Sequence, residues 1–456
     1  EYRRQRQMCI RDRSFTGDFT YRLYQTRNTS RSNPMYYREY PDGELLSYAT
    51  GAGANRLDEW VNTSHYYSTN IYGNYTDTFN DAHHLTVVAG MNYEAWKSKN
   101  VSAYGENLVS ADLDDLGLVG QNADGAVITG VGGGQNEYAL LGIFGRINYD
   151  YMSRYLFEVS GRYDGTSRFA RGNRWGFFPS ASVGWRISEE PFFRPARRLV
   201  DNLKIRASFG SLGNQNVSSY YTFARLISIA NLGYTFGEGS VLPKYSTLGA
   251  PIASDMTWET AQQWDFGFDL TMLGNRLNLT VDGYIRDTRD MLTDGVELPG
   301  VYGASVPDMN AADLRTKGYE ITLNWRDQLT LGSKPFEYSI GFNLSDYKSV
   351  VTKYDNKDKT FAQPYYEGME IGEIWGFVTD GLFQSDEEAK AYAEQLDLSY
   401  VLKGQTGGWQ AGDVKFVNLD GDNKIGIGSN NVDNPGDLSL IHISEPTRHL
   451  RISYAV

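Results

Sequence analysis

The stretch from Trp264 to Arg286 constrains the fold more than any other part of the chain. Trp264, Phe266, Phe268, Leu270 and Met272 alternate with Asp265, Gly267, Asp269 and Thr271. After a break, Leu277, Leu279, Val281, Gly283 and Ile285 alternate with Asn278, Thr280, Asp282, Tyr284 and Arg286. Gly274-Asn275 lies between, and both residue types tolerate the positive φ of a two-residue hairpin turn. Such a turn pairs Leu273 with Arg276. Met272 then faces Leu277, Leu270 faces Leu279 and Phe268 faces Val281, while Asp269 meets Thr280 on the other side. A slip of one residue would put carboxylates among the apolar side chains. One face is therefore apolar and the other polar, over strands longer than the usual ~5–6 residues. A strand between lipid and a water-filled lumen reads this way. So does a large soluble antiparallel sheet with one solvated face, and a single hairpin does not separate the two.

Composition narrows the choice. The 456 residues include 48 Gly, 33 Tyr, 21 Phe and 9 Trp, with a formal net charge of -13. Tyr and Trp suit a membrane interface, where the ring is apolar and its tip is wet. No apolar run approaches the roughly 18 residues of a helical span, so a membrane role requires a barrel. The negative balance argues against a general nucleic-acid partner. No secretory signal opens the sequence. For an exported protein, the expectation is an N-terminal region beyond this sequence.

The two ends read as foreign. Residues 8–13 are MCIRDR and residues 438–448 are LSLIHISEPTR. They resemble the translated transposase adapter of sequencing libraries, one orientation at each end. The expected division is a non-native segment at 1–13, a barrel segment at 14–437 and a second non-native segment at 438–456. Cys9, the only cysteine, lies in the first of these, so thiol and disulfide chemistry drop out of 14–437. His442 and His449 lie in the last, leaving His65, His83 and His84.

The period-2 pattern recurs along the chain. Tyr67, Thr69, Ile71, Gly73 and Tyr75 share one face, as do Leu85, Val87, Ala89, Met91 and Tyr93. The same holds for Leu141–Tyr149, Tyr155–Tyr163, Tyr319–Trp325 and Phe336–Leu344 read at alternate positions. The template yields about eleven strands. Short links are expected at 80–83, 150–154, 188–201, 274–275 and 326–334. Long polar links are expected at 97–134, 164–174, 214–256, 287–316 and 347–437. The alternation of short and long matches the periplasmic turns and external loops of outer-membrane barrels. The expected fold class is all-β, a transmembrane antiparallel β-barrel. About eleven strands make about half of a barrel of about 22.

Several motifs then come together. They are Arg162-Tyr163-Asp164-Gly165-Thr166-Ser167-Arg168-Phe169, Asn173-Arg174-Trp175-Gly176-Phe177-Phe178-Pro179-Ser180 and Gly184-Trp185-Arg186-Ile187-Ser188-Glu189-Glu190. Further along are Leu203-Lys204-Ile205-Arg206, Gly213-Asn214-Gln215, Trp258-Glu259-Thr260 and Lys317-Gly318-Tyr319-Glu320. Trp375-Gly376-Phe377, Asp380-Gly381-Leu382-Phe383 and the run 412–425 complete the set. The set resembles the SusC/RagA-type TonB-dependent transporters over essentially all of 14–437. The resemblance implies a 22-stranded barrel in the outer membrane of a Gram-negative bacterium, in contact with outer-membrane lipid and holding an N-terminal plug. It implies import of oligosaccharides or peptides, a SusD-like surface lipoprotein and a drive from the TonB-ExbB-ExbD complex. The TonB box and the plug have no counterpart in this sequence, so contacts with TonB are expected through an N-terminal region outside it.

Candidate sites are few. Asn418, Asp420 and Asp422 place side-chain oxygens at positions 1, 3 and 5 of a loop, with the Lys424 carbonyl at 7 and apolar Ile425 at 8. That spacing suits calcium. Asn423 takes the turn position usually given to Gly, and Asn tolerates the left-handed region. Position 12 is Ser429, not the bidentate Glu of a complete set. An ion-free Asx-rich turn has the same composition. Trp375, Trp409, Tyr365 and Tyr366 are candidates to stack on sugar rings, or to pack a long loop on itself. Arg146, Arg162, Arg186 and Arg206 project into the lumen by alternation, towards plug carboxylates or the substrate path. The run 386–395 has helical spacing with Ser385 as N-cap. Gly130-Val131-Gly132-Gly133-Gly134 lacks the strand–Gly–helix context of a phosphate loop and reads as a mobile loop. His83-His84 reads as structural at a tight turn. No Ser-His-Asp set or metal-ligating His cluster is apparent, and no enzyme activity is expected. The leading function is nutrient import. The alternatives are a non-transporting surface barrel or adhesin, and a siderophore receptor of the same fold.

Overall fold

A computed structural model of the chain describes residues 2–443, except 11, 34, 45, 49–54, 111, 123–124, 218, 226, 234–242, 250, 253–254, 296–300, 302–305, 362, 402–407 and 431. Strands β1 (Tyr2–Ile10) and β2 (Arg13–Ser32) form the first hairpin. A loop with the small hairpin β3 (Met35–Tyr37) and β4 (Leu46–Tyr48) leads to β5 (Arg56–Phe79), β6 (His83–Glu106), β7 (Thr129–Tyr151), β8 (Tyr155–Thr166), β9 (Trp175–Arg186) and β10 (Val200–Asn214). A second loop carries β11 (Ile227–Asn231) and β12 (Lys244–Leu248). Next come β13 (Glu259–Met272), β14 (Leu277–Asp294), β15 (Asp308–Leu331) and β16 (Lys334–Lys353). The remainder is an outer-loop unit with β17 (Glu373–Phe377), β18 (Thr379–Leu382), helix α1 (Asp386–Gln395), β19 (Val414–Phe416) and β20 (Leu438–Ile443).

Twelve of these strands make one antiparallel sheet in the order β1-β2-β5-β6-β7-β8-β9-β10-β13-β14-β15-β16. Each strand follows its sequence neighbour in the sheet, as an up-and-down barrel wall requires. The β13–β14 register is the one the hydrophobic pattern dictates: Met272 pairs with Leu277, Leu270 with Leu279, Phe268 with Val281 and Asp269 with Thr280. The turn between them is looser than a two-residue hairpin, because Leu273 joins Gly274 and Asn275 at positive φ (59°, 66° and 64°). Leu273 is held there by its N–H, which donates to the Leu199 carbonyl at 2.9 Å.

The strands run farther than the lipid pattern suggests. β5, β6 and β15 have 24 residues each, whereas a spanning strand needs ~9–11. The expected long links at 97–134 and 287–316 therefore shrink to 107–128 and 295–307. The expected turn at 326–334 shrinks to Gly332-Ser333. Past the lipid both faces meet water, so alternation fades while backbone pairing continues. The glycines at 130–134 are a case of this. They belong to β7, Gly130 opposite Tyr104 and Gly134 opposite Asn100, and are not a loop. A Cβ on Gly130 would lie 2.2 Å from the Tyr104 ring, which itself stacks under Arg56. One link also breaks the length rule, since residues 187–199 outnumber 167–174 on the opposite rim. Strand direction, not loop length, assigns the two ends there.

Burial is inverted relative to a soluble sheet. On the apolar face Trp264 is 53% exposed and Phe266 58% exposed. No second layer covers them among the described residues. The compact core clusters among the described residues lie at the outer rim. One consists of Phe169, Phe178, Met256 and Trp258, and another of Ala312, Val351 and Tyr354. Among the described residues, no helix is long and apolar enough to cross a membrane. Residues 8–10 end β1, pairing with Phe15, Ser14 and Arg13, and 438–443 form β20 against β17. Residues 1, 11 and 444–456 lie outside the described residues.

Candidate functional site

The motif residues build the outer rim. The Trp258 ring packs edge-on against Phe169 and Phe178, with centroids 5.9 and 5.3 Å away. Its indole N–H donates to the Arg174 carbonyl at 3.0 Å. Asn173 Nδ2 donates to the Met256 carbonyl, and Thr166 Oγ1 donates to Gln215 Oε1 at 2.7 Å. Segments distant in sequence, at 164–178, 213–217 and 256–260, are thereby locked into one block at the mouth.

The polar face carries ion pairs contained within the wall. Arg206 reaches Asp282 at 2.7 Å and Asp269 at 3.4 Å. Arg162 pairs with Asp164 at 2.9 Å, Arg146 with Glu158 at 3.7 Å and Arg186 with Glu189 at 3.7 Å. All four arginines picked out by alternation therefore have carboxylate partners on the barrel itself. Between these pairs the wall is concave, with a cavity of about 340 Å³ bounded by Tyr72, Phe144, Arg146 and Arg162.

Nearer the mouth is an aromatic stack on the same face. Trp96 lies 5.7 Å from Tyr138 and 5.3 Å from Tyr220, and the two tyrosines are parallel within 1°. The Arg168 guanidinium sits 4.5 Å from the Tyr138 ring and 5.2 Å from the Tyr220 ring. Tyr138 is oriented by its hydroxyl, which donates to Glu94 at 3.0 Å. Sequence reasoning did not find this stack. Its members come from two strands and two loops; sheet register joins Trp96 to Tyr138, and loop closure brings in Tyr220 and Arg168.

The four aromatic residues proposed from sequence do not form one surface. Tyr366 is buried, its hydroxyl donating to Glu373 at 2.6 Å. Burial, reinforced by the Glu373 acceptor, pushes that hydroxyl well above the usual tyrosine range. Trp375 donates its indole N–H to the same Glu373 carboxylate at 3.3 Å. Tyr365 packs edge-on to Tyr354. Trp409 lies elsewhere, between Phe383 and Phe416, each 5.9 Å away. These contacts fold the outer-loop unit on itself.

The acidic turn at 418–425 closes through Asx bonds. Asn418 Oδ1 accepts from the Gly421 N–H, Asp420 from the Asp422 N–H and Asp422 from the Lys424 N–H. The left-handed residue is Gly421, at φ 75°, and not Asn423, so the loop departs from the geometry its spacing suggested. A residue missed from sequence joins it. Asp437, 1% exposed, accepts from the backbone of Leu419 at 2.6 Å and of Gly426 at 2.9 Å. Carboxylate oxygens of Asp420, Asp422 and Asp437 lie within 4.8 Å of one another. The Ile427–Gly436 bridge brings Asp437 back to the turn. Of the other expectations, Ser385 caps α1 by accepting from the Glu388 N–H at 3.2 Å. His83 hydrogen-bonds Tyr149 at 2.7 Å and His84 hydrogen-bonds Thr78 at 2.9 Å, both structural contacts.

An antiparallel sheet with an apolar uncovered face, a charged inner face, mostly tight turns at one end and elaborate loops at the other is the wall of a transmembrane β-barrel. Residues 2–439 match the family model described as TonB dependent receptor-like, beta-barrel, and the chain belongs to that family. A TonB-dependent receptor of Formosa agariphila is 30% identical over 388 residues, covering 82% of this chain and 36% of the relative. The TonB-dependent receptor SusC of Bacteroides thetaiotaomicron is 34% identical over 233 residues, covering 49% of this chain and 22% of SusC. The chain thus spans about a third or less of the curated relatives it matches. Among solved structures, the RagAB peptide transporter superposes with a TM-score of 0.68 at 20% identity, over 88% of this chain and 41% of the other. That likeness bears on fold alone.

Proposed function

We propose that this chain is part of the barrel of a transporter in the outer membrane of a Gram-negative bacterium. It imports oligosaccharides, or peptides as the second cargo class, beneath a SusD-like surface lipoprotein. The TonB-ExbB-ExbD complex supplies the force, and cargo passes with no covalent bond made or broken in it. The observation that carries this reading is the pairing of an uncovered apolar outer face with an ion-paired inner face in a chain of the TonB-dependent receptor family. The stack of Trp96, Tyr138 and Tyr220 supports a sugar cargo, because flat ring faces match the C–H faces of pyranoses. The test is uptake of labelled oligosaccharides and labelled peptides by a strain deleted for the complete gene. Restoring the gene should restore one cargo class, and Trp96→Ala should reduce it. Uptake of both classes unchanged by the deletion would reject the reading.

We also propose that the turn at 418–437 binds calcium, through Asn418, Asp420, Asp422 and the Lys424 carbonyl. What supports it is the approach of a third carboxylate, Asp437, because three clustered like charges repel unless a cation or protons compensate. Calorimetric titration with calcium should give heat that Asp420→Ala and Asp422→Ala abolish. Identical heats in parent and variants would reject it.

A further inference from the structure

The outer face of the sheet is not uniformly convex. Between β8, β9, β10 and β13 runs a groove of about 520 Å³ walled by Phe157, Val183, Ile205, Phe266 and Phe268. Ala207 lies among them, its register placing it between Val183 on one side and Phe266 on the other. A small residue between large ones leaves a channel open to the membrane. At its periplasmic end stand Tyr155 and Trp185, which also line the groove. Their polar tips converge on Glu190, at 2.6 and 3.1 Å. That is the arrangement of a ring pair at a membrane–water interface.

The loop at 187–199 meets the groove at this point. Its segment Pro191–Arg198 is a short 3₁₀ stretch with Phe192 66% exposed and 6.5 Å from Trp185. Arg194, Arg197 and Arg198 are exposed beside it. Arg197 is engaged by Glu189 at 2.9 Å and by the Ser188 carbonyl. Among the described residues, no ion pair or hydrogen bond engages the side chain of Arg194 or Arg198. An apolar groove ending at interfacial rings, followed directly by a loop that carries exposed cations, matches a lipid by acyl chain and headgroup together.

We infer that this face is a binding site for one phospholipid with an anionic headgroup. The acyl chain lies in the groove over Ala207, and the phosphate lies against Arg194 and Arg198. The inference rests on the membrane-spanning reading of the sheet, and its continuity with the lipid-facing band fixes the occupant as a membrane lipid. The test uses the complete receptor extracted in detergent and examined by native mass spectrometry with added phosphatidylglycerol or phosphatidylcholine. One phosphatidylglycerol should be retained at least tenfold better than phosphatidylcholine. Arg194→Gln with Arg198→Gln should erase that preference, and Ala207→Phe should reduce retention of both lipids. Equal retention of the two lipids by the parent, or a preference unchanged in the double variant, overturns the site. Heat-modifiable gel migration separates this from failure of the barrel: a parent without it refutes the membrane reading, whereas a folded parent without lipid preference refutes only the site. The two arginines are exposed and outside the strands, so their arm stands even if Ala207→Phe impairs folding.

Discussion

At the residue scale, the side of the sheet a side chain occupies sets the cost of changing it. Leu279 faces outward between Leu270 and Leu323, and Thr280 faces inward beside Asp269. Leu279→Arg should impair assembly by ~2–4 kcal/mol if it lies near the bilayer midplane, while Thr280→Arg should cost far less. Heat-modifiable migration of the complete receptor reads the difference, and equal impairment would contradict the assignment of faces. Asp437 gives a second residue-level expectation. Asp437→Ala removes the acceptor of the Leu419 and Gly426 N–H groups. Leu419 is exposed and water can replace the bond, but Gly426 is buried, and a buried orphan costs about 1–3 kcal/mol. The turn at 418–437 should become sensitive to limited proteolysis, whereas Asp433→Ala, an exposed change, should not.

At the element scale, α1 shows how local signals and distant partners combine. Ser385 was legible as its cap, and the helix spans the expected 386–395. Not legible was the fate of Glu388. Its carboxylate accepts from the Gln384 N–H at 2.8 Å and meets Lys415 at 3.2 Å. The Gln384 N–H foremost, and then Lys415, hold its pKa below the usual glutamate value. Its stabilisation is therefore complete above the ordinary glutamate pKa and is lost as pH falls through the depressed folded value. Amide exchange of α1 should accelerate over that acid range in the parent, while Glu388→Gln shows no such step. Strand elements divide in the same way. Across the lipid zone, alternation marked both face and register, as in β13–β14. In residues 97–106 the outward face opens on Lys97 and Lys99 before Val101 and Ala103, so the apolar alternation is interrupted and the continuation of β6 against glycine-rich β7 rests on backbone pairing.

At the scale of the molecule, the twelve-stranded sheet is open, with β1 and β16 each bonded on one side only among the described residues. In lipid an unpaired backbone group costs several kcal/mol, and an edge strand presents a row of them. The 456-residue chain expressed by itself should aggregate or be degraded. A stable, inserted, monomeric product that restores cargo uptake to a deletion strain would contradict this expectation.

The sequence by itself determined the class of fold, the two faces of the wall, the β13–β14 register and the arginines lining the lumen. These follow from a period of two set by backbone pleat and by the contrast between lipid and water, and both are local properties. Only the tertiary structure decided which carboxylate each arginine meets, that Trp96, Tyr138 and Tyr220 stack, and that Tyr366 and Trp409 are committed to separate loop cores. It likewise decided that Asp437 closes the acidic turn. Arg162–Asp164 and Arg186–Glu189 are local pairs. Arg206–Asp282, the aromatic stack and the Asp437 closure instead join residues distant in the chain, and their meeting depends on strand register and loop closure, which no local pattern encodes.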